Sequence, residues 1–249
     1  MDHLRISTMT AISKLSSDID LKKLYENFKI NDIIHFIEYR DNPTKGFSEK
    51  SLRKKRKKVI KKVFYNQVTL HLFYKKLINV KVFNNGKIQM TGLKYEEQGK
   101  QVINLLINEL IKCNIDNTIF KEDKLESLEY RIVLINSDFD IKYKVNRELL
   151  HREIIRLEMC SSYEPTIYPG VNMKYYYNDA FDNLGVCKCS NRCNGKGSAY
   201  GDGECKRVTI AIFNSGKIII TGGKNLKQLN TCYEFISNIL NDKNKYISK

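Results

Sequence analysis

The segment Phe213–Lys224 (FNSGKIIITGGK) has an earlier copy in the chain, Phe83–Lys94 (FNNGKIQMTGLK), which lies 130 residues before it. Aligned without gaps, the two copies agree at eight of twelve positions: Phe, Asn, Gly, Lys, Ile, Thr, Gly and Lys. Self-similarity at this spacing indicates an internal duplication. The chain of 249 residues is therefore predicted to consist of two homologous halves.

Each copy predicts a β-hairpin followed by a helix. An apolar run, Ile78–Phe83 or Val208–Phe213, meets a turn that ends in glycine, and a second β-prone run follows. Glycine supplies the positive φ that tight hairpins need, so each half should hold a Phe just before a tight turn. Beyond each hairpin, apolar residues recur at three- and four-residue steps, which predicts a helix. In the first half this helix should run from Tyr95 to Cys113.

The remaining pattern predicts the same element order in both halves. A loosely alternating segment at residues 4–13 should be a strand, and Ser16-Ser17-Asp18 should start a short helix. The other expected elements are a loop at Asp41–Gly46, strands at Val68–Tyr74 and Tyr130–Ile135, a helix at Arg147–Cys160 and a strand after Tyr168-Pro169-Gly170.

Charge narrows the functional classes. The chain has 43 basic and 28 acidic residues, a formal net charge of +15. This excess favours a polyanionic partner, either nucleic acid or an anionic membrane surface. No long basic amphipathic helix and no apolar run of about 20 residues supports a membrane, so nucleic acid is favoured. The sequence shows no signal peptide and predicts an intracellular protein.

The sequence contains no catalytic grouping. Its four histidines, His3, His35, His71 and His151, are scattered, and neither a phosphate-binding glycine loop nor a serine nucleophile elbow is present. We therefore expect a binding protein and not an enzyme. A DNA repair or nuclease protein is the alternative that would have catalytic activity.

A run of cations lies between the first helix and the first hairpin. It consists of Arg53–Lys58 (RKKRKK), with Lys61 and Lys62 beyond. Such a run indicates either a phosphate contact or nuclear localisation, or else a solvated helix face that keeps the protein soluble. Both interpretations stay open at this point.

A cysteine-rich insertion between Tyr177 and Lys206 has no counterpart in the first half. It holds four cysteines within 19 residues amid several glycines: Cys187, Cys189, Cys193 and Cys205. Because the segment has few apolar residues, four thiolates around one structural zinc ion would supply the missing stabilisation. A reduced mobile loop and disulfides are the alternatives. The other cysteines, Cys113, Cys160 and Cys232, are expected on apolar helix faces as core residues.

The repeated motif Phe-x-x-Gly-Lys-x-x-x-Thr-Gly-x-Lys, with Ser161–Pro165 (SSYEP) and Tyr168–Gly170 (YPG), resembles the TATA-box-binding protein family. The Lys-, Asn- and Ile-rich composition is similar to that of divergent members encoded by large DNA viruses. The resemblance therefore implies a location in a host nucleus or viral factory, or packaging in a virion. The resemblance implies an α+β fold, a pseudo-twofold saddle of two repeats with a curved antiparallel sheet and helices on its convex face. We expect repeat 1 at residues 1–115, a connection at 116–127 and repeat 2 at 128–249, with inserts at about 40–62 and 178–206.

The resemblance implies a general transcription initiation factor. Such a protein binds promoter DNA in the minor groove, kinks it with aromatic wedges and recruits a transcription factor IIB-like protein and RNA polymerase, acting as a monomer on DNA. The alternative within the same resemblance is a protein–protein adaptor of the transcription machinery that has lost DNA binding. Phe83, Phe213 and Tyr168 match wedge positions, and Phe64 is the candidate for the fourth. The predicted DNA-contacting residues are Thr8, Phe64, Phe83, Lys87, Thr91, Lys94, Tyr168, Lys174, Phe213, Lys217, Thr221 and Lys224.

Partner docking is expected at one exposed loop. By the resemblance, the IIB-like factor contacts Glu164, Pro165, Tyr168 and Pro169. The chain also departs from the family, which places an Asn in the first strand of each half to bond acceptors at the centre of the groove. Thr8 and Leu134 occupy those positions here. The departure predicts weakened central readout and a larger share for DNA shape and deformability.

Overall fold

The computed structural model describes residues 2–47, 65–243 and 247–248. It forms two compact units, an N-terminal unit of Thr8–Val133 and a C-terminal unit of Leu134–Lys249 with Met1–Ser7. The strands are β1 (Arg5–Leu15), β2 (Ile34–Tyr39), β3 (Lys45–Gly46), β4 (Gln67–Tyr74), β5 (Lys76–Phe83), β6 (Lys87–Leu93), β7 (Ser127–Asp140), β8 (Cys160–Ser162), β9 (Val171–Tyr177), β10 (Lys206–Ile212) and β11 (Lys217–Gly223). The helices are α1 (Leu21–Asn27), α2 (Glu96–Cys113), α3 (Arg147–Arg156) and α4 (Leu226–Asp242).

Each unit is an antiparallel sheet with helices packed on it. In the N-terminal unit the strand order is β3-β2-β4-β5-β6-β1, and α1 and α2 pack on β2, β4 and β6. In the C-terminal unit the order is β7-β11-β10-β9-β8, and α3 and α4 pack on β8, β9 and β11. A short 3-10 turn at Ile115–Asn117 lies in the predicted connection.

Strand alternation places the core under the helices. Ile88 and Met90 of β6, and Ile218 and Ile220 of β11, are fully buried, whereas the residues between them are half-buried. Successive strand residues point to opposite faces, so one face of each sheet carries the core. Leu106 of α2 and the equivalent Ile236 of α4 are also fully buried against this face of the sheet.

The opposite face of each sheet, here the open face, carries polar, small and aromatic residues. In the N-terminal unit the open face contains Thr10, Ile12, Lys14, Asn79, Lys81, Phe83, Lys87, Gln89 and Thr91. In the C-terminal unit it contains Asn136, Asp138, Asn172, Lys174, Tyr176, Arg207, Thr209, Ala211, Phe213, Lys217, Ile219 and Thr221. Both sets follow from the strand register.

Helix starts in the two units are closely similar. The side-chain carbonyl of Gln98 accepts a hydrogen bond from the Lys94 N–H at 2.8 Å, and Gln228 does the same for Lys224 at 2.8 Å. Such a bond satisfies an N–H group just before the helix that has no partner within it. The short helix α1 is capped by Asp20 and not by the predicted serines at 16 and 17.

Other details also differ from the sequence prediction. The polar stretch after α1 contains an additional strand, β2, which pairs with β4. The predicted loop Asp41–Gly46 ends in the short strand β3, which pairs with β2. The predicted helix Arg147–Cys160 was too long: α3 ends at Arg156, and Cys160 is exposed on β8, not buried on a helix face. Glu158 has a positive φ of 58°, a left-handed stop that usually needs glycine and that this sequence does not signal. Cys232 is buried as predicted.

The predicted hairpin turns are confirmed. Gly86 and Gly216 have φ angles of 71° and 88°, and each donates its N–H to the carbonyl of the preceding Phe, Phe83 or Phe213, at 3.0 Å. A Cβ on Gly216 would lie 2.3 Å from the Tyr143 carbonyl oxygen. Only glycine therefore fits the turn.

We expect Gly216→Ala to lower the free energy of unfolding by about 2 kcal/mol or more, because it combines backbone strain with a collision against a carbonyl. Gly201→Ala is the matched control, since Gly201 has a φ of 93° but nothing within 4 Å of its added Cβ. Urea unfolding measures both. Equal losses for the two variants would contradict the role of the close approach.

Candidate nucleic-acid interface

The hairpin of the C-terminal unit presents an aromatic pair. The rings of Tyr168 and Phe213 lie 5.7 Å apart, centroid to centroid, and are tilted by 60°. Tyr168 is 37% exposed and Phe213 is half-buried. A Cβ on Gly170 would lie 2.8 Å from the Tyr168 ring and 3.2 Å from the Phe213 ring. The Tyr-Pro-Gly motif therefore provides the space in which the two rings pack.

Strand register identifies the equivalent of Tyr168 in the other unit. Tyr168 lies three residues before the strand residue that pairs with Ile212. Counting back three residues from the partner of Val82, the equivalent of Ile212, gives Tyr65. Tyr65 is 60% exposed. The predicted Phe64 lies outside the described residues, as does the basic run at 53–62, and the register favours its neighbour Tyr65 for this position.

The predicted central positions, Thr8 and Leu134, lie on β1 and β7, the first strands of the two repeats. Thr8 precedes Met9, and Leu134 precedes Ile135; because Met9 and Ile135 pair with Leu93 and Gly223, the two sites are equivalent. The buried Oγ1 of Thr8 has no hydrogen-bond partner within the part of the chain that the structure describes.

Asn136 is a polar open-face residue that the sequence analysis missed. It lies opposite Thr221, whose hydroxyl donates a hydrogen bond to the Asn136 side-chain carbonyl. Asn136 therefore keeps its NH2 group as a donor. The equivalent pair in the N-terminal unit is Thr10 and Thr91. Asn136 could have been found by aligning the first strands of the two halves separately, because these strands are offset by 126 residues and the hairpins by 130.

The predicted lysines lie at the ends of the open-face strands. Lys87 and Lys217 are exposed at the starts of β6 and β11, and Lys94 and Lys224 are exposed just after the ends of those strands. Thr91 and Thr221 are half-buried between them. Each copy therefore combines a small side chain with cations at both ends of one strand.

Cations also gather in the middle of β9, at the start of β10 and just after β11. The Lys174 ammonium donates to the Thr209 hydroxyl at 3.0 Å, and burial followed by the nearby Arg207 charge lowers the Lys174 pKa. Burial, and then the charges of Lys224 and Arg207, lower the pKa of Lys206. We call these four residues, Lys174, Lys206, Arg207 and Lys224, the cation cluster. Lys206 and Arg207 were not among the predicted residues.

One carboxylate interrupts this basic surface. Asp138, 8% exposed, accepts hydrogen bonds from the Arg5 guanidinium at 2.6 Å and from the Ser7 hydroxyl. Burial opposes ionisation, but the hydrogen bonds from Ser7 and Arg5 outweigh it and hold the pKa of Asp138 below its usual 3.8. Arg5 therefore neutralises Asp138 at this point of the face.

The lowered pKa of Asp138 makes the Arg5 contact a source of stability at neutral pH. That contribution is present above the pKa of the unfolded chain and is lost as pH falls through the folded-state value, below 3.8. Arg5→Gln should raise the pKa of Asp138 and move acid unfolding to higher pH. Carbon NMR of the carboxyl group against pH measures this. Lys142→Gln, which removes a 2.7 Å contact to Asp2 instead, should leave Asp138 unchanged.

The predicted partner loop is exposed. Glu164, Pro165 and Pro169 are exposed, and Ile167 is 84% exposed. The Glu164 backbone carbonyl accepts from the Tyr168 N–H at 2.9 Å, which closes the loop into a turn. The loop therefore presents an acid, two prolines and two apolar side chains to a neighbour.

The four insert cysteines come together. The sulfurs of Cys187, Cys189, Cys193 and Cys205 all lie within 4.8 Å of one another, with the Cys205 sulfur 3.3 Å from that of Cys189 and 3.7 Å from that of Cys187. Four sulfurs at about 2.3 Å from a tetrahedral ion lie about 3.8 Å apart. This group of thiols can hold a metal ion.

Hydrogen bonds from a buried amide hold the chain around these thiols in place. The Asn178 amide, 2% exposed, donates to the Gly201 carbonyl at 2.7 Å and to the Cys205 sulfur at 3.6 Å. Burial raises the pKa of the Cys205 thiol, whereas for Cys193 backbone hydrogen bonds from Gly195 and Cys205 outweigh burial and lower the pKa. A bound cation would favour the thiolate at every one of these sulfurs.

Comparison with known proteins relates this chain to a protein family. Residues 129–243 match the family model described as "Transcription factor TFIID (or TATA-binding protein, TBP)". A "TATA-box-binding protein-like" protein of Acanthamoeba polyphaga mimivirus is 31% identical over 259 residues, which cover 96% of this chain. The chain spans 65% of that relative's length. A "TATA-box-binding protein" of Methanococcus maripaludis is 24% identical over 161 residues, 65% of this chain and 67% of that protein.

The solved structure of Methanococcus jannaschii TBP has the same fold, with a TM-score of 0.55, 18% identity, and coverage of 96% of this chain and 97% of that one. The fold class predicted from the sequence is therefore confirmed: this is an α+β protein with the fold of the TATA-binding proteins. The predicted family is confirmed as well. The chain carries a domain of the TATA-box-binding protein family, and its relatives include the viral TBP-like protein. No helix within the described residues is long and apolar enough to cross a membrane.

Proposed function

We propose that this protein is a DNA-binding general transcription initiation factor that binds promoter DNA in the minor groove, kinks it and recruits a IIB-like factor and RNA polymerase. The observation that carries the proposal is the duplicated open face, with an aromatic residue before each hairpin turn and cations at the strand ends. DNA binding through the minor groove needs all three features: cations for phosphates, a groove-facing surface of small residues, and rigid wedges.

The groove floor would meet the middle of the open face. Thr221, Ile219 and Ala211 are small or apolar, and their register places them side by side in the C-terminal unit. Asn136 would direct its NH2 group to the acceptors that every base pair presents in the minor groove. Because those acceptors are shared by A·T and T·A pairs, recognition here depends mainly on A·T content and DNA shape.

The wedges would act beside the hairpin turn of each unit. Phe213 and Tyr168 already pack as a pair, and Phe83 and Tyr65 occupy the equivalent positions in the N-terminal unit. Inserting such rings between base pairs unstacks them and bends the duplex away from the protein. The hairpin turn lets each Phe reach the groove without a collision of the backbone.

Partner recruitment is assigned to the Glu164–Pro169 loop. Its carboxylate suits a basic patch on the IIB-like factor, and the exposed Ile167 supplies apolar contact area at the same place. Tyr168 would then serve both surfaces, since it belongs to the wedge pair and to the loop. The protein acts as a binder throughout, and no step of this function is catalytic.

We assign the metal of the insert as one structural zinc ion held by Cys187, Cys189, Cys193 and Cys205. Zinc prefers four-coordinate tetrahedral thiolate sites, and the spread of the four sulfurs fits such a site after small movements. The ion would stabilise the fold of a segment that has little apolar core.

The wedges are tested with a bend-sensitive energy-transfer pair on a short duplex rich in A·T pairs. Phe83→Ala with Phe213→Ala should abolish most of the bending, while the dependence of affinity on salt stays nearly unchanged, because the phosphate contacts remain. Tyr65→Ala should reduce bending as well. Tyr95→Ala, an exposed aromatic at the start of α2, is the control.

Three outcomes separate the function classes. A flat salt response in the wild type would exclude the DNA-binding function and favour the adaptor alternative. Unchanged bending in the Phe83 and Phe213 variant would exclude the wedges but not DNA binding. Cleavage or base excision of the duplex would favour the repair or nuclease alternative.

Zinc is tested by mass-spectrometric metal analysis of untagged protein. The wild type should contain about one zinc per chain, and Cys193→Ser should contain far less, since three ligands hold a structural ion poorly. Cys113→Ser, outside the cluster, should keep the full content. A wild-type content below about 0.2 equivalents would contradict a structural site.

A further inference from the structure

The cation cluster lies where the cysteine-rich insert joins the sheet. Arg207 pairs with Tyr176, and Lys174 with Thr209, so both cations belong to the open face. No member of the cluster forms an ion pair with any acid among the residues placed by the structure. Uncompensated cations at one place repel one another, and this repulsion is relieved when a phosphate binds.

The cysteine-rich insert is connected directly to the backbone of two members of the cation cluster. Cys205 immediately precedes Lys206, and the Arg207 N–H donates to the Gly195 carbonyl at 2.8 Å. Lys196 pairs with Lys206 in an isolated antiparallel bridge. The cysteines at 193 and 205 therefore bracket the segment that fixes the backbone of Lys206 and Arg207.

Gly195 allows the cysteine-rich insert to pack closely on the open face, because it has no side chain. A Cβ at this glycine would lie 2.6 Å from the Arg207 Cβ and 3.2 Å from the Tyr176 ring. The insert backbone is thus packed directly on two open-face side chains. Because β4 and β5 of the N-terminal unit are joined by Lys75 alone, that unit has no equivalent support.

We propose that the cysteine-rich insert extends the DNA-binding face, and that a metal ion held by its four thiols fixes Lys206 and Arg207 so that the cation cluster binds the phosphate backbone of the duplex. This inference rests on the proposed function, since it adds a contact to the same DNA. Strand register gives Lys76 as the N-terminal equivalent of Lys206. Arg207 is matched there by Leu77, so this cation belongs to one repeat alone. The two units should therefore differ in their affinity for phosphate, a difference that the repeated motif by itself does not provide.

The phosphate contact is tested by fluorescence anisotropy on an A·T-rich duplex over a range of salt concentrations. Lys206→Gln with Arg207→Gln should reduce the slope of log affinity against log salt by about one to two, since each phosphate contact contributes about 0.9. Bending should persist. The control is Lys188→Gln with Lys227→Gln, which changes net charge equally but removes lysines already paired with Asp182 and Asp179.

The dependence of the phosphate contact on the metal ion is tested with Cys193→Ser, both alone and combined with the Lys206 and Arg207 variant. Alone, it should lower the salt slope as the Lys206 and Arg207 variant does, and in combination it should cause little further loss, because both changes remove one contact. A salt slope in the Lys206 and Arg207 variant equal to that of the control would overturn the inference, and so would additive effects of the two changes. If the wild type neither binds nor bends DNA, the proposed function fails instead.

Discussion

Ile88, Met90, Ile218 and Ile220 are fully buried beneath helices, and the two-residue period of a strand then forces their neighbours onto the other face of the sheet. A shift of register by one residue would expose the core and bury the lysines and threonines, so the burial of these four side chains fixes the whole open face. The turn glycines keep that register in each hairpin, because only a positive φ closes the turn at this length. The chemistry available to the open face is thus a consequence of how the core is packed.

Local signals explain why much of the fold could be predicted. The glycine turns, the alternation of β5, β6, β10 and β11, and the periodicity of α2 and α4 each depend on residues close in sequence. The end of α3 could not be predicted, since Glu158 adopts a left-handed conformation without glycine. Strand β2 was missed for a related reason: its pairing with β4 is long-range and its alternation is broken by a bulge.

The residues of the candidate site likewise fall into those that local sequence signals predict and those that they do not. Phe83 and Phe213 are anchored to hairpin turns, so their equivalence is visible in the sequence. Tyr65 and Asn136 depend on strand register, which the sequence shows only through offsets of the repeats that differ from the offset of 130 between the hairpins. Thiols from both ends of a 19-residue segment were predicted to converge, and they do, because the paired ends of β9 and β10 bring the ends of the insert together.

The predicted absence of the central Asn pair has a physical consequence for recognition under the proposed function. Leu134 offers no hydrogen bond, and Thr8 has a single hydroxyl, whose oxygen is buried without a partner among the described residues. The nearest replacement, Asn136, uses its carbonyl on Thr221 and retains only donors. Donors match the acceptors that A·T and T·A pairs share, so they tell A·T from G·C but not the orientation of a pair. Selectivity then has to come from how readily a sequence is kinked by the rings and from where the phosphates lie. The unequal distribution of cations between the two repeats therefore becomes the feature best suited to orient the protein on its DNA.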